Sequence, residues 1–207
     1  MPGGASHPWL KPAVFTGGLV PVATIVLRGI RSELGADPIA QALNQLGLMA
    51  LVFLIATLAC TPLKTLTGVT WPLRIRRMLG LFAFFYVLCH FAIFLYYDNA
   101  LDWPALVKDL TKRPFIIAGF LAFVLLIPLA ITSTAGWIRR LGGKNWQRLH
   151  RLVYVAALGG IIHYYWLVKS DVREPLLYFG IWLVLMLFRL GVSISKRIKR
   201  SAAPARA

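Results

Sequence analysis

Six apolar runs, at about 12–28, 44–61, 79–97, 114–134, 149–168 and 176–194, take up most of this 207-residue chain. A run of about 18 residues with few charges is long enough to carry a helix across the roughly 30 Å hydrocarbon core of a bilayer. The connections are short and carry turn signals: Gly35-Ala36-Asp37-Pro38, Thr61-Pro62, Asp102-Trp103-Pro104 and Gly142-Gly143. No soluble insertion or internal repeat separates them. The expectation is an all-α integral membrane protein, a bundle of six transmembrane helices occupying residues 12–194. Residues 1–11 and 195–207 are left as tails, the second of them basic.

Charge tests this reading independently. Apolar residues are 58% and charged residues 14% of the chain, with a net charge of +16. A soluble domain has roughly 45–50% and 25%. A basic nucleic-acid binder is rich in polar surface, so this composition favours a membrane over nucleic acid. The N-terminal tail, the 62–78 loop, the 135–151 segment and the tail from Arg189 hold sixteen of the 23 Lys and Arg and no carboxylate. The alternate connections, 29–43, 98–113 and 169–175, hold all seven acids, namely Glu33, Asp37, Asp98, Asp102, Asp109, Asp171 and Glu174. Excess Lys and Arg in short loops marks the cytoplasmic side, so both termini are expected inside, in an inner membrane. The positive charge then also attracts anionic lipid. Lys11 ahead of apolar residues 13–27 resembles a secretory signal, but no small-x-small cleavage site precedes Arg28. The first run is therefore read as an anchor.

Four histidines occur, and three of them, His90, His150 and His163, fall in or at the apolar runs. His7 lies in the N-terminal tail and is read as solvated. An ionisable side chain at membrane depth is costly, which makes function the first hypothesis for it. His90 lies 13 residues beyond Arg77 and His163 lies 15 beyond Arg148, about 20 and 22 Å of helix rise. Both runs lead outward, so the two imidazoles sit at nearly equal depth in the outer half. Two facing histidines suit six-coordinate haem iron, whereas zinc wants three or four ligands.

His150 is about 20 Å nearer the cytoplasm and, on one continuous ideal helix, about 140° away from His163. Its neighbours are Arg148 and Arg151, and at matching depth the third run offers Arg76 and Arg77. A site so basic suits an anionic group such as a haem propionate, a flavin phosphate or a quinone-derived anion. A second haem, FMN and a quinone all remain open there, as does a simple helix-end role for His150. Cys60 and Cys89 read as small buried hydrophobes, Trp71, Trp103, Trp137 and Trp166 as interfacial anchors, and Pro21 and Pro128 as kinks. No G-x-G-x-x-G, P-loop or nucleophile elbow is present. A transmembrane electron conduit is favoured over a transporter or assembly factor, because no inverted halves with broken helices are visible.

Several spaced motifs also carry a family resemblance. They are Leu34-Gly35-Ala36-Asp37-Pro38, Ala56-Thr57-Leu58-Ala59-Cys60-Thr61-Pro62-Leu63, and Arg74 to Leu81 leading to His90. To these add Thr132-Ser133-Thr134, Trp146-Gln147-Arg148-Leu149-His150-Arg151, and His163-Tyr164-Tyr165-Trp166-Leu167-Val168-Lys169. Over about residues 34–169 the chain resembles the MsrQ (YedZ) family, the haem-binding membrane subunits of bacterial periplasmic methionine sulfoxide reductase systems. The resemblance implies a six-helix core like that of ferric reductase transmembrane domains and b-type haem, with FMN as a further cofactor. It also implies electrons from the quinone pool or a cytosolic flavin reductase. The partner would be a periplasmic molybdenum-cofactor catalytic subunit, MsrP-like, that repairs oxidised proteins. The chain would then be an electron-transfer subunit and no enzyme by itself.

The topology has a direct test. A reporter that fluoresces only in the cytoplasm, fused after Ala207, should be bright. A dark fusion together with an active periplasmic reporter at the same position would reverse the assignment.

Overall fold

The computed structural model describes residues 8–98, 101–168 and 170–201, so His7 and most of the two tails lie outside the described residues. It is all-helical. In chain order the helices are α1 (Leu10–Ile30), α2 (Pro38–Thr67), α3 (Trp71–Ile93), α4 (Trp103–Lys112), α5 (Pro114–Ile131), α6 (Ala135–His150), α7 (Leu152–Leu167) and α8 (Arg173–Ser201), with a π-helical turn, Phe94–Asp98, continuing α3. α2 packs along α3, α5 along α7, and α8 against both α7 and α2, while α1 leans on α3.

Among the described residues, five helical stretches are long and apolar enough to cross a membrane: Leu10–Ile30, Pro38–Thr67, Trp71–Tyr97, Pro114–Ile131 and Arg173–Lys196. The expected run 149–168 is not one of them. α6 ends at His150, the N–H of Arg151 turns back onto the carbonyls of Arg148 and Leu149, and α7 has 16 residues. At 1.5 Å per residue that is about 24 Å of helix.

One expected turn lies inside a helix, and another leads directly into one. In Gly35-Ala36-Asp37-Pro38, the Asp37 carboxylate accepts the Ala40 N–H at 2.9 Å and Pro38 opens the first turn, so α2 starts ahead of position 44. Thr61-Pro62 lies inside α2, which runs on to Thr67 and stops at Gly68 with φ 74°. An interior proline removes the N–H that would bond four residues back, here to Leu58. That carbonyl is not left bare: the Arg189 guanidinium of α8 donates to it at 2.5 Å. The connection expected over 98–113 contains α4, with Pro104 in its first turn. The Gly142-Gly143 signal does mark a break, because Gly142 takes φ 72° and ψ 147° and kinks α6.

The joint between α1 and α3 is a side chain set into a backbone ladder. The Tyr86 hydroxyl accepts the Val22 N–H at 3.1 Å and donates to the Gly18 carbonyl at 2.7 Å. Those two groups would otherwise bond each other, and Pro21 lies between them in α1. Tyr86 is fully buried and stacks on Phe53 at 5.4 Å. Gly18 is forced by the same contact, since a Cβ there would stand 2.5 Å from the Phe82 ring. Elsewhere Ala83, Ala156 and Ala157, all fully buried, let the helices approach closely. Leu177, Val184, Leu187 and Leu190 of α8 and Ile117 and Leu121 of α5 face outward, as expected where lipid is the solvent.

Tyr86→Phe keeps the ring and removes the inserted hydroxyl. Leaving a buried donor and acceptor with a poorer bond costs about 1–3 kcal/mol. Thermal unfolding of the detergent-solubilised variant should show a lowered midpoint; an unchanged midpoint would mean that α1 closes its own ladder.

Candidate functional site

Two cavities lie between the helices at the candidate residues. The larger, about 590 Å³, is lined by His90 of α3 and His163 of α7 among apolar side chains that include Phe91, Phe120 and Phe123. Both imidazoles are held in the same way. His90 Nδ1 lies 2.9 Å from the Leu43 carbonyl of α2, and His163 Nδ1 lies 2.7 Å from the Phe115 carbonyl of α5. A carbonyl can only accept, so each Nδ1 carries the proton and each Nε2 keeps its lone pair. One helical turn beyond each carbonyl stands a glycine on which the ring rests. A Cβ at Gly47 would be 3.3 Å from His90 Nδ1, and one at Gly119 would be 2.7 Å from His163 Nδ1. The rings face each other with centroids 6.0 Å apart and planes at 90°. The equal depth expected from helix rise is therefore met as direct proximity.

The smaller cavity, about 330 Å³, is lined by Arg76, Arg77, His150, Arg151 and Arg189 together with Trp146. Leu54 and Leu126 line both cavities and form the wall between them. Three of the four arginines expected near His150 are thus assembled with it. Arg148 is not: its side chain is exposed and does not reach the cavity, because it occupies a different face of α6 from His150.

His150 itself is tied down. The Thr132 hydroxyl donates to the Pro128 carbonyl at 2.6 Å, so it accepts from His150 Nε2–H at 3.1 Å. Trp146 stacks on the imidazole at 3.9 Å between centroids and donates its indole N–H to the Thr132 carbonyl at 2.9 Å. The remaining nitrogen of His150 is Nδ1, and no second histidine lines this cavity. The Thr132-Ser133-Thr134 motif thereby finds a use: Thr132 anchors the histidine, and Thr134 caps α6 by accepting the Trp137 N–H.

Two kinds of site residue escaped the sequence reading. Gly47 and Gly119 matter only because a ring from another helix lies on them, and nothing local marks that. Arg189 did carry a signal, a lone charge inside the apolar run 176–194, which at membrane depth points to a role. Cys60 is buried, with its thiol on the Ala56 carbonyl, and Cys89 is half-buried, as expected of small apolar fillers.

An antiparallel helical membrane bundle with imidazoles paired across α3 and α7 defines a class. Residues 43–161 match the model of the ferric reductase like transmembrane component family, and the chain belongs to it. Within that class it belongs to the MsrQ family. The protein-methionine-sulfoxide reductase heme-binding subunit MsrQ of Herminiimonas arsenicoxydans is 49% identical over 93% of this chain and 89% of the relative. The proteins of the same name from Rhodospirillum rubrum and Xanthomonas euvesicatoria pv. vesicatoria are 48% and 47% identical, over 89% and 94% of this chain and 89% and 93% of theirs.

The two glycines should respond unequally to a methyl group. Gly119→Ala forces the His163 ring off its carbonyl and should cost about 1–3 kcal/mol, as overpacking does. Gly47→Ala needs only a few tenths of an ångström and should cost less. Melting midpoints of the two variants in detergent should fall in that order; the reverse order would contradict the ring placement.

Proposed function

We propose that the chain is a b-type haem electron-transfer subunit of the inner membrane. It passes electrons from the quinone pool, or from a cytosolic flavin reductase, to a periplasmic MsrP-like molybdenum-cofactor enzyme that reduces methionine sulfoxide in oxidised proteins. The names of its relatives, heme-binding subunits of a protein-methionine-sulfoxide reductase, support the system. The single observation that carries the site is the facing pair His90 and His163.

Its geometry fits haem iron. Two metal–imidazole bonds of about 2.0 Å, with about 1.1 Å from each nitrogen to its ring centre, would separate the centroids by about 6.2 Å. The observed separation is 6.0 Å. A cavity of about 590 Å³ is within the usual range of roughly 300–1,000 Å³ for cofactor sites. His90 and His163 would ligate through Nε2, and haem b so held supplies a one-electron carrier whose potential depends on axial ligands and burial. The Leu43 and Phe115 carbonyls accept Nδ1–H, which fixes the tautomer and strengthens each ring as a donor to metal. Phe91, Phe120 and Phe123 keep water from the pocket. Arg113 is the one guanidinium lining it, and all other lining residues apart from the histidines are uncharged.

The arginine cavity is the electron-entry side in this reading. Arg76, Arg77 and Arg151 supply positive charge, and His150 contributes Nδ1 while Thr132 holds Nε2–H. A second haem with two histidine ligands has no support there. FMN, a quinone, or a haem held by one histidine are the groups that suit it.

The topology follows the charge split, with both termini cytoplasmic and residues 12–194 forming six spans between tails 1–11 and 195–207. α7 is the fifth of these spans. It is packed along α5 and brings His163 opposite His90, so it lies as deep in the bundle as its longer neighbours.

His90→Ala and His163→Ala each remove one axial nitrogen, so haem per polypeptide and the low-spin visible spectrum should fall severalfold in both. His150→Ala should leave the low-spin spectrum after dithionite reduction but slow reduction by the physiological donor. Full low-spin haem in either of the first two variants would sink the pairing. Loss of that haem in His150→Ala would sink the separation into two sites.

A further inference from the structure

Arg189 sits in the wall of the arginine cavity with its charge unanswered. Its Nη2 donates to the Leu58 carbonyl that Pro62 leaves free, and its Nη1 lies 3.3 Å from the Tyr154 hydroxyl. The guanidinium carbon lies 5.2 Å over the Tyr154 ring. Tyr154 is fixed in turn, because the Trp182 indole N–H donates to its backbone carbonyl at 3.2 Å. The third donor, Nε–H, is buried and has no hydrogen-bond partner in the protein. Among the described residues, no carboxylate lines the cavity. On α8 itself Glu174 is 15 residues away, about 22 Å of helix rise. Three contacts therefore hold a guanidinium rigidly while its net charge and one buried donor stay uncompensated. Arg189 is half-buried, and a cation partly withdrawn from water without a counterion calls for one.

Resting on the two-site reading above, we infer that Arg189 is the anchoring residue of the arginine cavity. Its guanidinium charge, held in place by those contacts, attracts the anionic oxygen, phosphate or carboxylate, of a flat ligand seated there beside His150. Arg76, Arg77 and Arg151 add charge around the same space, while Leu54, Phe84 and Leu126 supply apolar wall for the flat body. Arginine suits the position better than lysine, because its planar fork serves the Leu58 carbonyl and the Tyr154 hydroxyl from two nitrogens and so fixes where the charge sits.

Two ligands could bring that oxygen, a flavin through its phosphate or a second haem through a propionate, and the experiment separates them. The full chain purified in detergent is titrated with FMN and with riboflavin, which lacks the phosphate, while flavin fluorescence is followed. Haem per polypeptide is measured alongside. A flavin phosphate on Arg189 predicts that wild type prefers FMN by about tenfold or more and that Arg189→Gln loses most of this preference, with Arg189→Lys between them. A propionate on Arg189 predicts instead that haem falls from two to one per polypeptide in Arg189→Gln. In both cases the low-spin spectrum of the His90–His163 site stays intact, which also shows the variant to be folded. Unchanged FMN preference and unchanged haem in Arg189→Gln overturn the assignment, as does a wild type with neither an FMN preference nor a second haem. Loss of the low-spin spectrum in Arg189→Gln makes Arg189 a packing residue and overturns it too. Absence of low-spin haem from wild type would instead defeat the electron-transfer reading while leaving the FMN comparison informative.

Discussion

Inside a bundle surrounded by lipid, water is not available to finish a hydrogen bond, and each polar group brought in has to find its partner on another helix. The helix contacts of this protein are organised around that demand. Tyr86 enters α1 where Pro21 disturbs it and satisfies a donor and an acceptor with one hydroxyl. Arg189 crosses from α8 to the carbonyl that Pro62 frees in α2. In both places a proline opens the ladder of one helix, and a polar side chain from another closes it. The proline is then a docking point.

The same logic builds the paired histidines. Each imidazole gives its Nδ1 proton to a main-chain carbonyl on a neighbouring helix, and a glycine one turn along makes room for the ring. α2 carries Leu43 and Gly47 for His90, and α5 carries Phe115 and Gly119 for His163. The repeated device explains why α2 packs so closely on α3 and α5 on α7. It also prepares both rings before any cofactor arrives, because orientation and tautomer are set by the protein alone.

The two cavities differ in what they can tolerate. The imidazole cavity is mostly apolar, is lined by two histidines and one arginine, and is the larger by nearly a factor of two, about 590 against 330 Å³. The arginine cavity concentrates four guanidinium groups in the smaller volume. Leu54 and Leu126 separate them with little more than the thickness of two side chains. The two spaces are thus adjacent but unlike, one mostly apolar and lined by imidazoles, the other cationic and set among the basic ends of helices.

Much of this was legible in the residues themselves. Long apolar runs dictate helices because lipid leaves the backbone no other choice, and the one-sided placement of Lys and Arg follows from the cost of moving charge across a membrane. Depth along a helix is simple arithmetic, so His90 and His163 could be paired from their spacing to the flanking arginines. Contacts across helices were not legible, since they depend on the rotation and tilt that packing chooses. Arg148 and Arg151 look equivalent in sequence, yet only Arg151 faces the cavity, because α6 ends at His150 and Arg151 sits at the junction with α7, while Arg148 lies on an exposed face of α6. Thr61-Pro62 reads as a turn until Arg189, 127 positions later, is found holding the helix together there. Gly47 and Gly119 matter only through rings supplied by α3 and α7. Helix content, charge bias and the depth of ionisable groups are properties of single segments, and the chain alone determined them. Which side chains share a cavity is a property of pairs of segments, and only the tertiary packing decided it.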